Sequence, residues 1–549
     1  MKTRVLLFVA TVAMPRVVGA QHAAQLTPRD SALHALNRLA YGPRPGEIER
    51  VARAGVLPWI DAQLAPEQID DTALTRRERD FDVLQYDRGD LARLYAAVQR
   101  ARQERKRMGD TAVDQPDASP VAVKGRRLAA QVQQLAVVRA TRSERQLYEV
   151  MVDFWTNHFN VYFAKGADRF LTPDYIEHTI RPHAMGRFED LLIATAQSPA
   201  LLFYLDNWES VAPGAVPPQA MRLQARPFLG RRPALFPPPR DPTQRDSARR
   251  RALERAPQGI NENYARELLE LHTLGVDGGY DQHDVIEVAR IFTGWSIRRP
   301  QQGGDFEFHD WAHDTGDKQV LGVEFERGHG MDEAIRLLKL LANHPATMHH
   351  IGRKLCQRFV SDDPPDGCVD DAVAAWRRTH GDIREVLRAI FHGPDFWAAA
   401  TRRAKVKTPL EFVVSAARAV AAEPDTTPRL AQVVARLGEP LYLHVAPDGY
   451  PEREDAWVNS GALLDRMNAA VALAAGRLPG AVATLDSVAP ATADPQQLIA
   501  DVDGAILGGT MSENTKRVIG AQLSDIKDPV QARALATGLA IGGPEFQRR

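Results

Sequence analysis

Apolar residues recur at three- and four-residue spacing along most of the chain, with Gly and Pro falling between the runs. This pattern predicts a mainly α-helical fold of several packed helices. Helix is expected over residues 32–41, a break at Gly42-Pro43, and a second helix from Glu47 to Ala54 with Gly55 as its C-cap. The Arg-, Gln-, Ala- and Leu-rich stretches 91–108 and 123–140 read as long helices separated by a polar loop at 110–120. Strict alternation is scarce before residue 300, so the first half is helical.

Residues 210–259 break this rhythm, being crowded with Pro and Arg (Pro237-Pro238-Pro239, Arg249-Arg250-Arg251). They read as an insertion or covering loop, either solvated or able to hold an anionic polymer. A small β-element is expected at 305–309 followed by 318–322. Helices resume at 334–341, 347–360, 369–379 and 383–391. The Ala-, Val- and Leu-rich residues 401–549 read as a C-terminal helical lobe packed on a main domain of residues 21–400.

The first residues change the picture of where such a fold works. Lys2 and Arg4 precede the apolar run 5–14, and Val18-Gly19-Ala20 supplies small residues for cleavage, so residues 1–20 read as a secretory signal peptide. The run is too short for a membrane span, and no later segment approaches the roughly 18 uninterrupted apolar residues that a span needs. A periplasmic or secreted location is the resulting expectation. Across 549 residues the formal net charge is −1, which argues against a nucleic-acid partner, whose phosphates need clustered positive charge. Two cysteines, Cys356 and Cys368, sit close enough to close one loop between a helix and a turn, or to remain two thiols. No CxxC, CxxCH, HExxH, GxSxG or P-loop pattern occurs, so the sequence names no cofactor.

Candidate chemistry comes from polar residues on faces that should be buried. Over 147–162 the apolar positions Leu147, Val150, Met151, Phe154 and Trp155 follow helical spacing, and His158 falls on that stripe, flanked by Asn157 and Asn160. A buried imidazole needs a hydrogen-bond partner, a metal or a substrate. Over 261–275, Asn261 caps and Gly275 stops a helix whose wheel centres Tyr264, Leu268 and Leu271 on the buried face. His272 lands inside that face and Glu267 at its edge, while Arg266, Glu270 and Thr273 point away. A carboxyl against an apolar wall is raised in pKa, as a general acid requires. The plain alternative is an internal pair of Glu267 with Arg290 or Arg38. Asp277-Gly278-Gly279-Tyr280-Asp281 suggests a calcium loop, but Gly279 and Val288 stand where ligands belong, so Asp281 reads as the N-cap of the next helix. His313, Asp314 and Lys318 cluster in a loop.

Phe154-Trp155-Thr156-Asn157-His158-Phe159, Arg181-Pro182-His183, Tyr204-Leu205-Asp206-Asn207, the block 261–275, Ala289 to Trp295, His313-Asp314 with Lys318, and Pro447-Asp448-Gly449-Tyr450-Pro451 occur in order. In these blocks the chain resembles the "domain of unknown function 1800" family of exported bacterial proteins. The likeness spans nearly the whole mature chain from His34, except the Pro- and Arg-rich stretch. Similar sequences often carry an aromatic residue in place of His272. The resemblance implies a helical exported protein, often encoded beside a sulfatase-like exported family, and hence work on envelope or extracellular polymers. It carries no established activity.

Three readings are open. In the first the chain is a hydrolase acting on a polysaccharide or another polymer. Glu267 is then the acid or base, Asp206 or Asp314 the second carboxylate, and His158, Asn157, Arg266, Asn207, His313 and Lys318 bind substrate. In the second it is a non-catalytic periplasmic binding or assembly protein whose buried polar networks fix the fold. The third builds a metal site from His158, Glu267 and a nearby carboxylate. Whether the chain is an enzyme stays open at this point.

Overall fold

The computed structural model describes residues 26–107, 118–218, 259–298 and 304–549. Residues 1–20, read as a signal peptide, and most of the Pro- and Arg-rich stretch 210–259 lie outside the described residues. The fold is mainly α, 64% helical, with three small antiparallel strand pairs.

Local sequence sets most helix ends. Thr27 caps Pro28–Leu39 through the amide of Asp30, with Pro28 in the first turn where it loses no hydrogen bond. Glu47–Ala54 stops at Gly55, whose φ of 93° suits glycine. Asp281 caps Gln282–Ile291 in a reciprocal box with Asp284, as its place before the helix predicts. The helices Arg88–Arg107, Pro120–Arg142, Met331–Ala342, Pro345–Phe359, Asp366–Thr379 and Ile383–His392 appear where the periodicity places them. Cys356 and Cys368 are joined as a disulfide, their Cα atoms 6.2 Å apart.

Two departures have tertiary causes. The helix expected to reach Tyr162 is Gln146–His158. Beyond it the chain pairs with a distant loop: the Phe163 amide donates to the Tyr442 carbonyl at 2.9 Å, and Asn160 Nδ2 donates to the carbonyls of His444 and Ala446. Those bonds replace the next helical turn. The second departure is in the 261–275 block. Glu262–Glu267 is α-helical, but Leu268–Thr273 is a turn of π-helix. The wider turn rotates the residues after Glu267, so Leu269 and Thr273 are fully buried while Leu271 is half-buried. Thr273 therefore faces inward rather than away, and its hydroxyl donates to the Leu268 carbonyl five residues back at 2.6 Å.

The strands belong to separate pairs. Phe306–Phe308 pairs with Trp295–Ile297, and Lys318–Val320 pairs with Val323–Phe325. A third pair, Glu423–Pro424 with Ala481–Val482, joins parts of the C-terminal lobe. In that lobe Ser460–Ala474 packs against Pro529–Gly542, where a Cβ on Gly538 would meet the Val471 Cα at 2.8 Å. Glycine is what lets these backbones approach.

One continuous apolar core runs from Ala35 to Phe546, crossing residue 400 without interruption. At its centre lies Gln146–His158, with Leu147, Met151 and Trp155 fully enclosed. Trp155 packs at a tilt against Phe188 and donates its indole N–H to the Ala184 carbonyl at 3.0 Å. Among the described residues no helix is long and apolar enough to cross a membrane.

Candidate functional site

Gln146–His158 carries functional groups on two faces. Asn157 reaches the loop 447–451: its Nδ2 donates to the Tyr450 carbonyl at 2.8 Å, and its Oδ1 accepts the Tyr450 amide at 2.7 Å. Gly449, with φ of 74°, lies against the Asn157 backbone where a Cβ would collide. The loop is thereby fixed to the helix, and it delivers Asp448 beside Glu267 and Tyr204.

On the other face His158 is buried among Phe154, Trp155, Phe159 and His272. Lys354 Nζ donates to His158 Nδ1 at 3.0 Å, which leaves Nε2–H to donate to the His272 carbonyl at 3.3 Å. His350 Nε2 lies 3.3 Å from the Leu271 carbonyl. Burial, then Lys354, holds His272 at about 3 and His350 at about 4, and the same causes with the other two imidazoles pull His158 well below its ordinary value. Burial also pulls Lys354 down to about 8, against the opposing charges of Glu452 and Asp448. The result is three neutral imidazoles around one amine of weakened basicity.

Glu267 stands at the edge of this cluster, half-buried, and no hydrogen bond or ion pair reaches its carboxyl among the described residues. Burial, then the charges of Glu270 and Asp448, raise its pKa, with Arg266 opposing. The internal pairing expected as the alternative does not form. Arg290 is bidentate to Asp314 and to Glu287, and Arg38 gives its N–H groups to the carbonyls of Phe359, Val360 and Thr401. Asp448 is largely exposed and accepts from His444 Nε2 at 3.0 Å.

The other residues singled out by sequence lie in internal networks. Asp206, in a left-handed conformation, pairs with Lys165 at 2.7 Å. Asn207 is buried and donates to the Phe292 and Trp295 carbonyls. Asp314 is held by Arg290; burial would raise it, but those hydrogen bonds and the Gly316 amide hold it below its usual range. Lys318 spends its three N–H groups on Glu333 and the carbonyls of Asp314 and Gly316. His313 sits 3.0 Å from the Thr293 carbonyl. Arg266 is half-exposed and donates to Gln282.

Among the described residues the only group of metal-ligating side chains within mutual reach is Asp281, His283 and Asp284. Asp281 and Asp284 already accept backbone amides, including Leu321, so the cap explains them. His158 and Glu267 gather no third ligand of that spacing.

Sequence reasoning missed Lys354, His350 and a buried cation, Arg358, and it quoted Asp448 only as part of the 447–451 block, with no role. Arg358 faces Glu411 at 3.0 Å, Glu452 at 3.2 Å and Asp153 at 3.6 Å. Lys354 and Arg358 share Pro345–Phe359 four residues apart, on one face, a spacing that was available as a signal.

Neither curated proteins nor solved structures give a match. The family model described as "Protein of unknown function (DUF1800)" matches residues 34–548. The ordered blocks, the helical architecture and this match together place the chain in the DUF1800 family.

Proposed function

We propose that this chain is an exported hydrolase acting on an envelope or extracellular polysaccharide or a related polymer, with Glu267 as its proton donor. The carrying observation is the state of Glu267: half-exposed, unpaired among the described residues, and kept protonated to higher pH by burial and by two neighbouring carboxylates. Asp448, exposed and oriented by His444, is the second carboxyl. Asp206 and Asp314 are each held by a cation, which suits them less to that role. Glu267 gives its proton to the leaving oxygen as the bond breaks, and Asp448 takes a proton from the water that adds. Arg266 binds substrate beside them, while His158 and Asn157 position the two walls of the site. The disulfide supports an oxidising compartment, and the signal-like first residues support export. A working link to sulfatase-like exported proteins belongs to the same reading.

A second reading, a non-catalytic binding or assembly protein, is favoured by how fully Asp314 and Lys318 are paired inside the fold. One experiment separates them. The purified chain is incubated with a panel of labelled envelope polysaccharides, following both release and retention. Release that falls on the order of 100-fold or more in Glu267→Gln and Asp448→Asn supports the hydrolase. Retention without release, unchanged in both variants, supports the binding protein.

A further inference from the structure

Away from Glu267, a cavity of about 180 Å³ opens between Pro120–Arg142, Gln146–His158 and the π-helical turn Tyr175–Ile180. A cavity of 150 Å³ with apolar walls holds benzene, so the space suits a small molecule of that size. About half of its wall is aliphatic, including Val132, Leu135, Val152 and Ile176. Four polar groups on it have no hydrogen-bond partner among the described residues, the Asp153 carboxyl and the hydroxyls of Tyr41, Tyr86 and Tyr442, and of the three phenols Tyr41 and Tyr442 are the ones that feel the Asp153 charge. Tyr41 is only 3% exposed. Tyr442 is held at φ of 62°, a conformation costly for an aromatic residue, and it also lines a smaller adjoining cavity with Asp153.

The charges on the lining are not balanced. Arg181 is bidentate to Glu149, Arg139 to Glu177, and Asp174 is paired with Arg88 from outside. Asp153 is what remains, 3.6 Å from Arg358, which is nearer to Glu411 and Glu452. Burial, only partly offset by Arg358, pushes Asp153 up to about 7. The Asp153 side chain is 32% exposed, and its carboxyl faces this cavity with no hydrogen-bond donor, an arrangement that a ligand supplying donors would stabilise. An ammonium group has three N–H donors and a positive charge, matching one carboxylate and two phenol oxygens. The mouth is marked by the exposed ring of His178.

We infer that this cavity is a binding site for a small primary amine with an apolar body, its ammonium on Asp153, Tyr41 and Tyr442 and its body against the aliphatic wall. The site stands independently of Glu267 and of the hydrolase reading.

The test titrates benzylamine, and benzyl alcohol as its uncharged counterpart, into the purified full chain by calorimetry. Benzylamine binding about tenfold or more tighter than the alcohol is the expected result. Asp153→Asn removes that preference, and Tyr442→Phe weakens amine binding while keeping the fold. Equal binding of amine and alcohol, no binding of either, or an unchanged preference in Asp153→Asn overturns the inference. Soaking crystals of the wild-type chain in 4-bromobenzylamine gives a variant-free measurement. The bromine peak belongs in the cavity beside Asp153, and a peak elsewhere or none overturns it.

Discussion

His272 shows how much a single buried polar residue can govern. It is enclosed between Phe159 and His158, its Nε2 has no partner among the described residues, and burial holds it at about 3. Below its ordinary value of 6.5 the unfolded chain takes up a proton that the folded chain refuses. Folded stability is therefore lost as pH falls from about 6.5 towards 3. His272→Phe keeps an aromatic ring and removes that proton. Melting curves of the two proteins are expected to separate only below about pH 6.5, with the variant more stable at pH 5. Parallel curves would place the acid sensitivity elsewhere, since His34 and His350 are common to both. Glu267 and His158 were legible from helical spacing alone. Their partners were not: Lys354 lies 196 positions from His158, and nothing local joins such distant residues.

Elements were read best where capping and periodicity agree, as at Gly55 and Asp281. They were misread where a distant segment supplied backbone bonds. The turn at Leu268–Thr273 leaves no mark in a wheel drawn at one fixed pitch, so Thr273 was assigned to the wrong side. The short strands were half-seen, because Phe306–Phe308 alternates visibly while its partner Trp295–Ile297 is buried on every residue. The loop 447–451 depends on Asn157 for two backbone hydrogen bonds. Asn157→Ala is expected to cost about 1–3 kcal/mol and to release this loop. Limited proteolysis near Tyr450 should then proceed faster than global unfolding allows, whereas unchanged cleavage would mean that Gly449 and Tyr450 hold the loop without it.

At the scale of the molecule, the apolar core continues from residues 26–400 into the C-terminal lobe packed on them. Pro409–Ala419 is buried on every residue and sends Arg418 to Glu47 and to the Gly42 carbonyl. Arg358 takes carboxylates from residues 153, 411 and 452. Lys405 and Arg549 exchange backbone hydrogen bonds at 3.3 and 2.8 Å. A fragment of residues 26–400 leaves Arg358 without Glu411 and Glu452 and exposes the apolar faces that Pro409–Ala419 covers. It is expected to lack a cooperative thermal transition by circular dichroism. A sharp transition in that fragment would show that residues 26–400 fold without the lobe.

The shared core also has a consequence in time. A ribosome makes the amino-terminal half first, yet Asp153, Asn157 and Asn160 find their partners between residues 358 and 452. Until that later stretch emerges, the half already synthesised has no stable resting place. Such a chain is expected to expose apolar surface throughout its synthesis, and so to be prone to aggregation until its last third has emerged.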